Sequence, residues 1–140
     1  MQTQPPPVLT IITVTFNAAR LLEGTIRSVL EQTYPHIEFL IFDGASIDGT
    51  LEILRRLPAK SPNRQITKWS SEPDRGLYDA MNKGLRRATG DFVWFLNAGD
   101  HLFEKDTVEK IMRHCKAETD VLIGEVKLEA LFGERWYPTE

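Results

Sequence analysis

The sequence predicts a single α/β domain built on a largely parallel sheet with helices on both faces. Three apolar runs, at residues 9–16, 37–43 and 92–96, are rich in β-branched or aromatic residues and are typical of buried strands. Segments with apolar residues at helical spacing alternate with these runs. Such alternation places helices against a parallel sheet, joined by right-handed crossovers. A length of 140 residues suits one domain.

The first half of the chain contains two strand and helix pairs. Residues 9–16 form the first predicted strand, and Asn17 is the predicted N-cap of the helix after it. Residues 37–43 form the second strand. A loop of glycine, serine and aspartate follows, and it leads into a short helix for which Ser46 and Asp48 are the predicted caps.

The second half is predicted to continue the alternation. A weaker strand at 65–70 precedes a helix over 77–88, with Gly90 as its C-terminal stop. After the strand at 92–96, Asp106 begins a capping-box pattern in front of another short helix. Residues 121–124 are predicted to form a last core strand.

Composition excludes several classes of protein. The 17 basic and 20 acidic residues give a net charge of −3, so no basic field exists to hold nucleic acid. The single cysteine, Cys115, cannot form an intrachain disulfide, and it favours a reducing compartment, the cytoplasm. No apolar segment approaches the roughly 20 residues that cross a bilayer. Residues 1–7, which include three prolines, are predicted to be a disordered tail.

Ligands of open α/β sheets bind outside the carboxyl ends of the strands, so the loops that follow the strands hold the candidate site residues. Polar or acidic side chains stand there at 15–17, at Asp43 and at 97–100. The first strand is followed by no glycine-rich dinucleotide or P-loop motif, which disfavours dehydrogenases and P-loop hydrolases. A diphosphate bound here would need another source of positive charge, such as a divalent cation held by Asp100.

Several blocks, in the correct order, resemble family 2 glycosyltransferases of the GT-A fold. They are Thr-Val-Thr-Phe-Asn at 13–17, Ser-Val-Leu-Glu-Gln-Thr-Tyr at 28–34, Phe-Asp-Gly-Ala-Ser-Ile-Asp-Gly-Thr at 42–50, Asp-Arg-Gly-Leu-Tyr-Asp-Ala-Met-Asn-Lys-Gly at 74–84 and Ala-Thr-Gly-Asp at 88–91. The resemblance implies a nucleotide-diphospho-sugar donor, Mg²⁺ or Mn²⁺ on its diphosphate, and a saccharide or lipid-linked acceptor. It also implies transfer, usually with inversion, in cell-surface polysaccharide or glycan synthesis, with peripheral membrane association through the acceptor.

The same resemblance implies roles for individual residues. The positions that match the donor-binding motifs are Thr15, Phe16, Asn17, Asp43, Arg75, Gly76 and Asn82. Residues 15–17 are expected along the nucleotide, Asp43 is expected to bind the base or ribose, and the other three are expected to line the donor pocket. Asp100 stands at the metal motif, where the family usually has Asp-x-Asp and this chain has Asn97-Ala98-Gly99-Asp100. Asn97 is expected to contribute a neutral oxygen.

Family 2 domains usually extend beyond this length, and their acceptor-binding elements and catalytic base lie in the later part. Residues 8–140 are therefore expected to be a donor-binding domain that lacks its C-terminal portion. No base is assigned, although Glu125 follows a predicted strand. Two alternatives stay open: a donor-binding fragment or pseudoenzyme, and a phospho-acceptor signalling domain with aspartates at its strand ends.

Overall fold

The computed structural model describes residues 5–57, 66–122, 125–130 and 133–138, the last two ranges as backbone only. The strands are β1 Leu9–Thr15, β2 Ile37–Asp43, β3 Lys68–Ser71, β4 Phe92–Phe95, β5 Glu125–Ala130 and β6 Gly133–Pro138. The helices are α1 Ala19–Leu30, α2 Thr50–Arg56, α3 Leu77–Arg87 and α4 Thr107–Met112. No helix in the described ranges has the length and apolar character that a bilayer span requires.

The first four strands form one sheet in the order β3-β2-β1-β4, and every neighbouring pair is parallel. Each of β2, β3 and β4 is reached through a helix, which confirms the predicted α/β class and its parallel sheet. Strands β5 and β6 pair with each other in an antiparallel ribbon. The strand order reverses between β1 and β4, because β2 and β3 lie on one side of β1 and β4 lies on the other.

Two apolar cores cover the two faces of the sheet. The larger core joins the sheet to α1, α2 and α4, and it includes Ile11, Leu22, Ile26, Leu54 and Val108. The smaller core joins the sheet to α3, and it includes Ile12, Val14, Phe42 and Ala80. Successive residues of β1 point to opposite faces, so a strand covered on both sides needs a continuous apolar run. This explains why the first strand shows no polar alternation.

Helix α3 approaches the sheet closely at Gly84. A Cβ atom at this position would lie 2.6 Å from Cγ2 of Ile12 and 3.1 Å from Cε2 of Phe42. We expect Gly84→Ala to lower the free energy of unfolding, because overpacking costs about 1–3 kcal/mol and the helical preference of alanine returns only about 1 kcal/mol. Urea unfolding measures the difference.

Gly24 of α1 provides a matched control for that substitution. A Cβ atom there would meet only the ring of His101, whose side chain is exposed and can move aside. Gly24→Ala should therefore leave stability unchanged or raise it. Equal losses in the two variants would contradict close packing at Gly84 as the cause.

The predicted core strand at 121–124 is wrong for the residues that the structure describes. Val121 and Leu122 lie outside any strand, and 74% and 40% of their surfaces are exposed. Residues 123–124 lie outside the described ranges. The next strand begins at Glu125, so this residue starts β5 instead of following a strand. A short apolar segment predicts a strand only where a neighbouring strand is available to pair with it.

Two predicted helix ends also differ from the structure. Helix α3 ends at Arg87, three residues before Gly90. Gly90 is needed instead for a close contact with β1, because a Cβ atom would lie 2.5 Å from Oγ1 of Thr10. Asp106 occupies the N-cap position of α4 but makes no capping hydrogen bond, and its carboxylate pairs with Lys110 at 3.3 Å. The capping box predicted at Asp106 is therefore wrong, because Asp106 does not make the capping hydrogen bond.

Candidate functional site

The carboxyl ends of the parallel strands meet at one edge of the sheet. Thr15 of β1 lies beside Asp43 of β2, and Asp43 lies beside Ser71 of β3. The loop after β4 joins the same edge, since the Ala98 N–H donates to the Val14 carbonyl. The structure thus brings together the strand-end segments that the sequence singled out. The reversal of strand order between β1 and β4 marks the place where open α/β sheets bind ligands.

Asp43 is the centre of a hydrogen-bond network at this edge. Only 2% of its surface is exposed. Its Oδ2 accepts hydrogen bonds from the Ser46 N–H at 2.9 Å and from the Ser71 hydroxyl at 2.7 Å, and its Oδ1 accepts one from the Ser46 hydroxyl at 2.5 Å. A buried carboxylate is tolerated when hydrogen bonds replace its water. Asp43 therefore ties the loop after β2 to the end of β3.

Asn17 joins the loop after β1 to the loop after β2. Its backbone is in the left-handed region, with φ 46°. Its N–H donates to Oγ of Ser46 at 2.8 Å, and its Oδ1 accepts from the Ile47 N–H at 3.0 Å. The prediction of Asn17 as the N-cap of α1 is wrong, because its side chain is engaged across the site. Ser46 likewise binds Asp43 and Asn17 instead of capping α2, so that prediction is also wrong.

Asp48 binds the beginnings of two helices. Its Oδ1 accepts hydrogen bonds from the Thr50 N–H and hydroxyl at the start of α2, but the predicted N-cap position belongs to Gly49. Its Oδ2 accepts from the N–H of Ala19, the first residue of α1, at 3.0 Å. The Thr50 hydroxyl and the Ala19 N–H lower the pKa of Asp48, since both stabilise its charged form. One loop thus positions the beginnings of both helices.

Phe16 and Asp74 lie against Gly44 at the end of β2. A Cβ atom on Gly44 would be 2.8 Å from Oδ2 of Asp74 and 3.3 Å from Cδ2 of Phe16, so only glycine allows this approach. The Phe16 side chain is 64% exposed. The ring is therefore accessible beside the buried network, and its contact with a nucleotide stays a prediction.

The three other predicted donor-site residues lie in the loop before α3 or on that helix. Arg75 and Gly76 are exposed, and their N–H groups donate to Asp79 and Asp74. Gly76 has a φ of 108°, a conformation that favours glycine. Asn82 is exposed on α3. The side chains of Arg75 and Asn82 are thus accessible, and their roles stay predictions.

Residues 97–100, which begin the loop after β4, contain one carboxylate. Asp100 is exposed, and its N–H donates to the Asn97 carbonyl at 3.0 Å. The side-chain oxygen of Asn97 is buried without a hydrogen-bond partner in the described part of the protein. An unpaired buried oxygen is costly, so its presence beside Asp100 suits a site that a ligand completes.

A divalent cation fits this loop only as part of a larger assembly. Asp100 and Asn97 offer hard oxygen atoms, the type that Mg²⁺ and Mn²⁺ prefer. Among the side chains of residues 5–57 and 66–122, no group of three or more His, Cys, Asp and Glu could hold a metal ion. The remaining ligands would therefore come from a diphosphate and water, as Mg²⁺ sites commonly arrange.

Three polar side chains, two on α1 and one just after its end, hold this loop, although the sequence did not mark them as functional. Oγ1 of Thr25 accepts from the Gly99 N–H at 2.9 Å, and Oγ of Ser28 accepts from the Leu102 N–H at 3.1 Å. Gln32 follows the end of α1, and its side chain donates to a carbonyl of the loop and accepts from an N–H in the first turn of α4. Thr25 and Ser28 occupy positions i and i+3 beside the apolar stripe of α1. Polar residues at that spacing along a buried helix face were the available signal.

Comparison with known proteins identifies the family. The sequence profile of "Glycosyl transferase family 2" matches residues 10–140. A "PGL/p-HBAD biosynthesis glycosyltransferase" of Mycobacterium bovis is 37% identical over 122 residues, which are 86% of this chain and 47% of the relative. The "putative teichuronic acid biosynthesis glycosyltransferase TuaG" of Bacillus subtilis is 38% identical over 104 residues, 74% of this chain and 40% of that protein. The chain thus spans less than half of the length of these relatives.

A solved structure gives the same result for the fold. The mannosyltransferase PcManGT of Pyrobaculum calidifontis, in complex with GDP-Man and Mn²⁺, superposes with a TM-score of 0.71 and 31% identity over 85% of this chain and 34% of that one. The GT-A fold expected from the sequence is therefore confirmed, together with the resemblance that implied it. This chain belongs to glycosyltransferase family 2.

Proposed function

We propose that this chain binds a nucleotide-diphospho-sugar at the strand-end edge and transfers the sugar, with inversion, to a saccharide or lipid-linked acceptor. The observation that carries the proposal is the polar edge itself, where the Asp43 network joins the loops after β1 and β2 to the end of β3. The relatives act in glycan biosynthesis, which supports a role in cell-surface polysaccharide or glycan synthesis. The donor bound in PcManGT supports the donor class.

The nucleotide end of the donor would lie over β1 and β2. The exposed ring of Phe16 offers a flat apolar surface, and stacking of a base on an aromatic side chain contributes about 1–3 kcal/mol. Thr15, whose hydroxyl oxygen is buried without a partner in the described residues, lies beside Asp43. Asp43 would meet the base or ribose through a lone pair that its three internal hydrogen bonds leave free. Asn17 completes this part of the proposed pocket.

The diphosphate end would lie between the loop after β4 and the start of α3. Asp100 and Asn97 would hold Mg²⁺ or Mn²⁺, and the Mn²⁺ in PcManGT supports that assignment. When bound, such an ion acts as a Lewis acid on the leaving diphosphate. The exposed Arg75 would add a fixed positive charge, and Gly76 and Asn82 would line the same wall. Asp100 thus has the role of metal ligand.

The acceptor site and the catalytic base are assigned to no residue described here. We propose that residues 8–140 are the donor-binding domain and that the acceptor elements belong to the part of the relatives that this chain does not cover. A lipid-linked acceptor would bring the protein to a membrane surface. The cytoplasmic location rests on the single Cys115 and stays a prediction from the sequence.

A donor-binding protein without transfer activity is the second candidate, because residues 97–100 have one carboxylate where the family's metal motif usually has two or more. Release of labelled sugar from the donor, with and without acceptor, distinguishes it from an active transferase. A phospho-acceptor domain is disfavoured by the family match.

A thermal-shift panel tests the proposal. GDP, UDP, CDP and ADP are compared with and without Mn²⁺. A ligand at about 100 times its Kd stabilises the native state by roughly 2.7 kcal/mol, so we expect one nucleotide to raise Tm by several degrees, and mainly when Mn²⁺ is present. A panel in which no nucleotide raises Tm would contradict donor binding.

A further inference from the structure

We infer that three positioning residues, Thr25 and Ser28 of α1 and Gln32 just after that helix, set the orientation of Asp100 for the metal-bound diphosphate. The inference rests on the proposed function, in which Asp100 is the metal ligand. It assigns to α1, which lies behind the donor site, control over the strength of metal-dependent donor binding.

The three residues form a continuous row along α1 and just past its end, in which side chains donate hydrogen bonds to backbone carbonyls. The Ser28 hydroxyl donates to the Thr25 carbonyl at 2.7 Å, and Nε2 of Gln32 donates to the Ser28 carbonyl at 2.9 Å. Thr25 is fully buried and Gln32 is 3% exposed. Such side chains have few alternative conformations, so the row acts as a rigid support.

The row binds the chain after β4 at successive points. Thr25 accepts from Gly99, and Ser28 accepts from Leu102. Gln32 accepts from the Val108 N–H at 3.0 Å, and it donates to the Glu104 carbonyl at 2.7 Å. These backbone groups make no hydrogen bonds to a neighbouring strand. The side chains of Thr25, Ser28 and Gln32 supply their hydrogen-bond partners instead.

The contact nearest to the proposed site has the most direct consequence for Asp100. Gly99 has a φ of 102°, and its N–H is fixed by Thr25, so the following residue leaves the turn in a defined direction. The ring of His101 then lies over Gly24, which has no Cβ in its way. Asp100 thus follows directly on a residue whose backbone is fixed to α1. A metal site with a single protein carboxylate in its loop depends strongly on the placement of that group.

The experiment compares Thr25→Val with Thr25→Ser in the full-length protein. Valine keeps the shape of threonine and removes the oxygen that accepts the Gly99 N–H, whereas serine retains that oxygen. Affinities for GDP and UDP are measured by calorimetry with and without Mn²⁺. Hydrogen exchange of the Gly99 amide is measured in parallel.

We expect Thr25→Val to weaken Mn²⁺-dependent nucleotide binding about tenfold and to speed exchange at Gly99. Binding without Mn²⁺ should stay unchanged, and Thr25→Ser should behave like the wild type. Equal losses with and without Mn²⁺, an unaffected valine variant, or a serine variant as weak as valine would overturn the inference.

Two further comparisons cover the cases in which the wild type binds no nucleotide or the valine variant does not fold. If the wild type binds none of GDP, UDP, CDP and ADP, the proposed function fails, and the Gly99 exchange decides the inference about the loop: unchanged exchange in the valine variant overturns it. If Thr25→Val does not fold, Ser28→Ala is tested in the same way, because it removes the acceptor of the Leu102 N–H.

Discussion

Asp100→Ala is expected to abolish Mn²⁺-dependent nucleotide binding and to lower sugar transfer on the order of a thousandfold, which corresponds to about 4 kcal/mol of transition-state stabilisation. The reason is that Asp100 is the sole carboxylate in the segment 97–100 that matches the metal motif. Calorimetry with and without Mn²⁺ measures the binding, and labelled donor measures the transfer. The substitution should leave Tm nearly unchanged, because the side chain is exposed and surface changes usually alter stability by less than about 0.5 kcal/mol.

Glu118→Ala is the control for Asp100→Ala. It removes an exposed carboxylate from the segment after α4, outside the strand-end loops, and changes the net charge equally. Nucleotide binding in the control should match the wild type. Metal-dependent binding that survives in Asp100→Ala would remove this residue from the site.

Asp43→Ala is expected to impair both stability and binding. The substitution leaves the Ser46 N–H, the Ser46 hydroxyl and the Ser71 hydroxyl without their acceptor. Each buried donor left unsatisfied costs about 1–3 kcal/mol, so the total loss should be several kcal/mol. The contact that Ser46 makes with Asn17 would loosen as well, and nucleotide affinity should fall with it. Urea unfolding and calorimetry measure the two effects.

Asp43→Asn separates the structural role from direct contact with the nucleotide. The amide keeps one oxygen as an acceptor, and the Ser46 hydroxyl can rotate to accept from the amide nitrogen. Stability should therefore be largely restored. If nucleotide affinity stays low in this variant, the carboxylate itself contacts the nucleotide, whereas recovery of affinity would mean that Asp43 acts by organising the loops.

The architecture was predictable because it depends on local pattern. Strands β1 and β2 show continuous apolar runs, and α3 shows a regular stripe, so their positions followed from spacing alone. The errors fall where a nonlocal partner decides. Residues 121–122 have an apolar pattern but pair with no strand among the described residues, and Gly90 is explained by its contact with Thr10. The local sequence shows neither whether a strand is available to pair with residues 121–122 nor that Gly90 contacts Thr10.

The candidate site shows the same division. The rule that ligands bind at the carboxyl ends of strands predicted the places of Asp43, residues 15–17 and residues 97–100. It did not predict that Asp43 is bonded to Ser46 and Ser71, residues distant from each other in sequence. It also missed the support that α1 gives to the loop after β4, because a polar residue on a helix has no visible partner until the chain is folded.

The sequence by itself determined the fold class, the family and the loops that carry polar chemistry, because periodicity and ordered motifs are properties of the chain. Only the tertiary structure decided which side chains face a ligand and which hold the site together. Asn17 and Ser46 are predicted caps that instead bind each other across two loops. Hydrogen-bond partners are chosen among groups that folding brings within about 3 Å. That proximity depends on the packing of α1 and the sheet, which spans residues far apart in sequence.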